Sequence, residues 1–403
     1  MTIRKPTATH PFAPGLLLAT VLLLAGCGER GDVGIFASIE REEKVEKANL
    51  PEVSTAGSMI YHQDTDRYYV ALGRLYERGR DDTDWDEVDF PSDYDDGHTL
   101  DIVALDEDGD DEDEDISGTE TVYVAMFDTD STKAELYRRD VENGSWDGPI
   151  WSPDREIAGL VAIDSDADGD DDRLFAVTVA SNKLEYDLIY SPGGVGGGTE
   201  TQVLTADKQV LDGTSDGTSY YLLSSGMLYV GSVGDPSSIE PAWDAENAGP
   251  GDYSPDLSGF PSFSGLLYVA GAYGIEDENR LYLTSPKGLI AYSTDAGETW
   301  TVEEDDDDRV YTDPAYLDFP GFTGVVLGGD TRGFSDGGYF ELEDSSLATA
   351  RPSGDNYDAA DISDAAVQGF FVDTLNNRLF ALTNGAGLWS ASYDVADPEW
   401  RWE

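Results

Sequence analysis

Residues 285–304 read SPKGLIAYSTDAGETWTVEE, and the rest of the chain falls into place around them. Two apolar runs, 288–292 and 299–302, flank a short Ser/Asp/Gly segment, which is the pattern of a β-hairpin. Ser293 and Asp295 carry side-chain oxygens that accept hydrogen bonds from turn amides, and Gly297 tolerates a positive φ. Trp300 then supplies a large apolar anchor at the start of the next strand.

The hairpin belongs to a repeat. Asp66-Arg67-Tyr68-Tyr69, Asp172-Arg173-Leu174-Phe175, Asn279-Arg280-Leu281-Tyr282 and Asn377-Arg378-Leu379-Phe380 share one pattern, with arginines 106, 107 and 98 residues apart. That spacing is two units of about fifty residues, so further units are expected midway. Apolar runs at 120–124, 219–223 and 324–327 occupy those positions. Each unit reads as four short strands: a first strand, the Arg-Leu-Tyr/Phe strand, a third strand, and a fourth opened by tryptophan. Trp85, Trp146, Trp243, Trp300 and Trp400 are expected at that opening. Four strands per repeat of forty to fifty residues predict an all-β fold, a β-propeller of seven four-stranded antiparallel blades, with six to eight the range that the spacing allows. A β-sandwich would not repeat a four-strand unit, and β-helix coils are shorter.

The segment Ser293-Thr-Asp295-Ala-Gly297-Glu-Thr299-Trp300 resembles the Asp-box of the BNR-repeat β-propellers. The resemblance implies the same fold and a structural role for Ser293, Asp295, Gly297 and Trp300. Residues 140–146 are a worn copy. Sialidases share the Asp-box, but the Arg-Ile-Pro motif that accompanies their arginine triad is absent. A weaker resemblance is to photosystem assembly factors built from related repeats, although no residue ties the chain to photosynthesis.

The leader supplies an address. Arg4 and Lys5 precede a short apolar run, 15–25, that fits a signal peptide and is short for a membrane span. It ends in Leu24-Ala25-Gly26-Cys27, which resembles a bacterial lipobox, and Cys27 is the only cysteine. The resemblance implies a signal peptide at 1–26 and lipidation of Cys27. The protein is then expected to be extracytoplasmic and anchored to the cell envelope; Gly28 favours the outer membrane where one exists. Residues 27–50 read as a tether whose stretch 34–38 resembles a ring-closing strand, and 40–50 could equally form a short helix. Residues 51–403 read as one propeller domain. A lone cysteine leaves no intrachain disulfide and no thiolate metal cluster.

The net charge of −59, from 83 acidic and 24 basic residues, sets nucleic acid aside as a partner. It reads chiefly as a solvated acidic surface. One cluster is more specific. Asp164, Asp166, Asp168, Asp170 and Asp172, with Gly169, form a D-x-D-x-D-G pattern that suits Ca²⁺, a cation of six to eight oxygen ligands. Position 12 is Phe175, so a helical EF-hand is excluded, and the pattern resembles the cation loops of FG-GAP propellers. Asp106, Asp108 and Asp110 occupy the same turn one unit earlier and make a weaker second site. Arg74, Lys287 and Asn384 fall in second-to-third strand turns, where propellers commonly meet ligands. Long loops at 193–198 and 244–260 are possible contact surfaces. No Gly-x-Ser-x-Gly, phosphate loop or HExxH is present, and no carboxylate pair can be singled out. The expected function is therefore a monomeric, non-catalytic scaffold that binds an envelope protein, with carbohydrate binding or processing as the alternative.

Overall fold

The computed structural model describes residues 50, 55–63, 65–91, 94, 97–106, 120–128, 133–165, 173–190, 200–244, 262–270, 279–304, 310–330, 338–342, 349–351, 362, 365–394 and 400–403. Within them, seven sheets follow one another along the chain. Blade 1 holds β1 (Met59–His62), β2 (Arg67–Leu72), β3 (Arg74–Gly79) and β4 (Asp86–Glu87). Blade 2 holds β5 (His98–Asp106), β6 (Glu120–Asp128), β7 (Lys133–Asp140) and β8 (Ser145–Trp151). Blade 3 holds β9 (Ile157–Ile163), β10 (Arg173–Val179), β11 (Tyr186–Tyr190) and β12 (Thr201–Ala206). Blade 4 holds β13 (Val210–Ser215), β14 (Ser219–Ser224), β15 (Met227–Ser232) and β16 (Asp235–Asp244). Blade 5 holds β17 (Gly265–Val269), β18 (Arg280–Ser285), β19 (Leu289–Ser293) and β20 (Thr301–Glu304). Blade 6 holds β21 (Tyr311–Phe319), β22 (Phe322–Gly329), β23 (Tyr339–Leu342) and β24 (Thr349–Arg351). Blade 7 holds β25 (Val367–Asp373), β26 (Arg378–Thr383), β27 (Leu388–Ser392) and β28 (Trp400–Trp402). In every sheet neighbouring strands are consecutive and antiparallel, so the fold is the expected seven-bladed β-propeller.

The second strand of each unit explains the sequence repeat. It is sandwiched between two neighbouring blades, and its side chains alternate between them. On β2, Tyr68, Val70 and Leu72 pack toward blade 7 while Tyr69 and Ala71 pack toward blade 2. On β18, Leu281 and Leu283 face blade 4 and Tyr282 faces blade 6. On β26, Leu379 and Ala381 face blade 6 and Phe380 and Leu382 face blade 1. The Leu-Tyr/Phe pair is thus one residue for each interface. The Asp or Asn before the arginine also has a cause: Asp66 and Asn377 sit at φ 55° and 50°, where short polar side chains are tolerated best. Seven apolar clusters result, one at each junction between adjacent blades.

The ring closes between blades 7 and 1 by packing and polar contacts. Tyr68, Trp85, Phe380 and Leu388 share a buried cluster that Leu50 also joins. The Tyr68 hydroxyl donates to Asp373, and the Ala56 amide donates to the Thr383 carbonyl at 3.1 Å. Arg78 Nη1 reaches Glu403 Oε2 at 2.6 Å, with both side chains buried. The ring-closing arm expected at 34–38 lies outside the described residues, and all four strands of blade 7 come from its own repeat.

One expected tryptophan position is corrected. Trp85 and Trp300 immediately precede β4 and β20, Trp146 is second in β8, and Trp400 opens β28. Trp243 instead lies near the end of β16, paired across to Leu228. The two-residue turn at Val233 and Gly234 closes the third strand early, so β16 starts at Asp235.

Candidate functional site in the central channel

A meander places its turns on alternating faces. The β1–β2 and β3–β4 turns of each blade share one face; the β2–β3 turns and the inter-blade connections share the other. First strands contact one another around the ring (β1 with β5, β5 with β9, and so on to β25 with β1) and therefore line the central channel. They begin on the second face, at the channel mouth.

Aligned from blade 1 to blade 7, these first strands carry Ser58, Asp101, Gly159, Asp212, Gly265, Asp313 and Gly369 at one position. The register slips beside this position on β5, β9, β13, β21 and β25, which marks β-bulges that kink the strand and re-aim its side chains. Each aspartate reaches a neighbouring blade. Asp101 Oδ2 accepts from the Leu160 amide at 2.8 Å and Oδ1 from the Ile102 amide at 2.9 Å. Asp212 Oδ2 accepts from the Leu266 amide at 3.1 Å and Oδ1 from the Gly213 amide at 2.7 Å. Asp313 packs on Gly265, where a Cβ would lie 2.6 Å from Asp313 Cα and 3.0 Å from its Oδ1. Glycine is needed there because neither backbone could give way.

A cavity of about 320 Å³ opens along the first strands of blades 1 to 4, walled by Ser58, Ile60, Asp101, Val103, Leu160 and Asp212 among others. Leu211, the bulge residue before Asp212, lies at its lip and is 51% exposed; Leu100 stands in the same place before Asp101. Enclosure by protein pushes the Asp101 carboxyl above its usual range, against the opposing hydrogen bonds of Ser58, Leu160 and Ile102. Asp212 is pushed up to about 6, again by enclosure first, with the Gly213 and Leu266 amides opposing. Asp313 is raised further, by enclosure and then by the charge and hydrogen bond of Asp212, with which it is in contact. Carboxyl groups in contact are closer than the separation of about 5 Å or more that two-carboxylate glycosidases use, so this pair is not such a centre. All three aspartates were missed in the sequence, where they stand among 83 acidic residues. Their signal is positional: the alternation of a small residue, Ser58 or glycine, with aspartate becomes readable once the blades are aligned.

The residues singled out by sequence are scattered. Arg74 is drawn into the fold: Nε pairs with Glu87 at 2.8 Å, Nη1 donates to the Gly97 carbonyl at 3.2 Å, and the guanidinium lies 4.1 Å from the Phe90 ring centroid. Lys287 and Asn384 are exposed on the channel-mouth face, where Asn384 Oδ1 accepts from Thr55 Oγ1 at 3.1 Å. The second-strand arginines are engaged by side chains of their own blades. Arg67 pairs with Glu77 at 2.9 Å, Arg280 lies 5.0 Å from the Tyr292 ring centroid, and Arg378 lies 5.8 Å from that of Phe380.

On the opposite face, the 293–300 turn is closed by its own side chains. Ser293 Oγ accepts from the Gly297 amide at 2.8 Å; Asp295 accepts from the Thr299 amide at 2.7 Å and its hydroxyl at 2.6 Å. Gly297 has φ 86°, and Trp300 is buried between blades 4 and 5. Partial burial acts upward on Asp295, yet the Thr299 and Ser293 hydrogen bonds hold it below its usual range. In the worn copy, Asp140 accepts from the Asn143 amide at 3.0 Å and Gly144 has φ 66°. Blade 7 has a counterpart not noticed in the sequence, in which Ser392 Oγ donates to Asp394 at 2.9 Å.

Asp164 follows β9 at the β1–β2-type turn of its blade, while Asp166, Asp168, Asp170 and Asp172 lie outside the described residues. Asp106 ends β5, and Asp108 and Asp110 also lie outside them, as do Cys27, the whole leader, and the loops at 193–198 and 245–260. Among the described residues no group of three His, Cys, Asp or Glu side chains is placed to hold a metal ion, and no helix is long and apolar enough to cross a membrane.

No family model matches this chain, and no curated protein sequence matches it. Solved structures do. One, described as YCF48 bound to D1 peptide, superposes with a TM-score of 0.53 at 13% identity, covering 85% of this chain and 94% of that one. At that identity the likeness shows the fold: this chain is a seven-bladed β-propeller like that of YCF48.

Proposed function

We propose that this protein is a lipid-anchored, extracytoplasmic propeller that binds a protein partner at its channel-mouth face and serves as a scaffold in the cell envelope. The observation that carries the reading is the mouth itself. A cavity walled by four blades opens there, with the exposed side chain of Leu211 beside it. The second-strand arginines are engaged by their own blades, Arg67 by Glu77, Arg280 by Tyr292 and Arg378 by Phe380. A propeller of like architecture, YCF48, is described with a bound peptide, which lends support. In this reading Cys27 carries the lipid anchor, and Asp164, Asp166, Asp168, Asp170 and Asp172 bind Ca²⁺ as a structural cation, with Asp106, Asp108 and Asp110 a weaker site. The 293–300 turn acts as a structural Asp-box.

The test is affinity isolation of the full lipidated chain from mild-detergent extracts, beside Leu211→Glu and Leu375→Glu. Leu375 is 61% exposed and lies in a β1–β2-type turn on the opposite face. A stoichiometric partner retained by Leu375→Glu and lost with Leu211→Glu is the expected result. Equal recovery by all three overturns the assignment to this face.

A further inference from the structure

Two carboxyl groups from non-adjacent blades meet over a glycine. Asp212 starts in blade 4 and caps the Leu266 amide of blade 5; Asp313, from blade 6, packs on Gly265, the preceding residue. Their carboxyls are in hydrogen-bonding contact. Gly265 permits the meeting, because a Cβ there would lie 2.4 Å from Pro314 Cδ and 2.6 Å from Asp313 Cα.

We propose that Asp313 is the protonated member of this pair, donating to an ionised Asp212, and that the pair is a proton-operated brace across blades 4 to 6. Two carboxylates in contact cannot both be ionised without strong repulsion, so one proton is shared. Backbone geometry decides where it resides. Both oxygens of Asp212 already accept amide protons, from Gly213 and Leu266, and an acid proton there would compete with one of them. Among the described residues, the groups acting on Asp313 are its protein enclosure and Asp212, so Asp313 is placed as the donor. Among the described residues no cation acts on either carboxyl, and the other acid lining the cavity beside Asp212 is Asp101.

The linkage has a definite sign. Both groups hold their protons to higher pH in the folded protein than an unfolded aspartate does, at about 3.9. The folded state therefore binds more protons, and stability falls as pH rises from the unfolded aspartate range, first through about 6 for Asp212 and then through the higher titration of Asp313. The donating form, with Asp313 protonated and Asp212 ionised, occupies the window above about 6 and below the Asp313 titration.

Urea unfolding of the full chain, followed by tryptophan fluorescence between about pH 5 and pH 8, reads this directly. Asp313→Asn keeps a donor toward Asp212 and removes the shared proton. It is expected to fold and to lose one proton of linkage, a roughly tenfold smaller change in the unfolding constant per pH unit. Asp212→Asn sets an amide against a backbone N–H and is expected to be the more damaging of the two at every pH. An unchanged pH profile in Asp313→Asn, or better tolerance of Asp212→Asn, overturns the proposal. Should neither variant fold, infrared spectra of ¹³C-aspartate-labelled protein decide: a protonated-carboxyl band at neutral pH that persists in Asp101→Asn supports the pair, and its absence refutes it.

Discussion

Removing the Glu403 carboxylate should open the ring at the seam between blades 7 and 1. Glu403 accepts from Arg78 Nη1 at 2.6 Å, Trp85 Nε1 at 3.3 Å, Arg401 Nε at 3.0 Å and the Ser390 hydroxyl. Arg78 is only 2% exposed and stacked among Tyr68, Trp85 and Phe380, with Nε and Nη2 lacking partners. Glu403→Ala therefore strands a buried cation, at a cost of about 3–5 kcal/mol. Burial outweighs the carboxylate's pull on Arg78, whose guanidinium sits below its ordinary range, but arginine stays charged at any accessible pH. Glu403 is thus the group that titrates. Burial alone would raise it, but Arg78, then Arg401 and the Ser390 and Trp85 donors, hold it below the usual carboxylate range. Its contribution is present above the unfolded glutamate value of about 4.3 and is lost as pH falls through the lower folded value. Urea unfolding at neutral pH gives the cost, and a double-mutant cycle with Arg78→Met isolates the pair. Because a buried ion pair is often replaced by apolar groups at little cost, Arg78→Met with Glu403→Leu should recover most of the loss. A loss below about 1 kcal/mol for Glu403→Ala, or simple additivity in the double variant, would refute the reasoning.

Four further outcomes are expected. Gly265→Ala places a methyl 2.6 Å from the Asp313 backbone and should destabilise by about 1–3 kcal/mol in the same assay. Asp295→Ala deletes the acceptor for the Thr299 amide and hydroxyl and should cost about 1–3 kcal/mol, with increased hydrogen exchange at the Thr299 amide. Ca²⁺ at fixed ionic strength should raise the melting temperature, and Asp166→Ala with Asp168→Ala should abolish that rise; a melt indifferent to Ca²⁺ and chelator counts against the site. Cys27→Ala should move the protein from the membrane to the soluble fraction, and unchanged fractionation removes the lipid anchor from the account.

The repeat was legible where burial leaves few choices. A strand held between two blades must supply one apolar side chain to each, so Leu379 and Phe380 alternate as Leu281 and Tyr282 do. The left-handed backbone at Asp66 and Asn377 fixed the residue before the arginine as well. Trp243 was misplaced because tryptophan spacing carries no information about turn length, and the tight turn at Val233 and Gly234 moved the strand boundary. The Ser392–Asp394 pair was overlooked because no glycine follows it before Trp400. The channel aspartates were hidden for a different reason. Their role comes from β-bulges and from contacts between blades, and one acid among many bears no local mark of either. The carboxyl pair in particular joins residues 101 positions apart on non-adjacent blades.

The central claim is that a protein partner docks at the channel mouth. A photo-crosslinking amino acid placed at position 211 or position 375 of the lipidated chain, irradiated in intact cells, tests it most directly. A discrete adduct of one defined mass is expected from position 211 and none from position 375. Adducts from position 375 alone, or the same adducts from both, would contradict it.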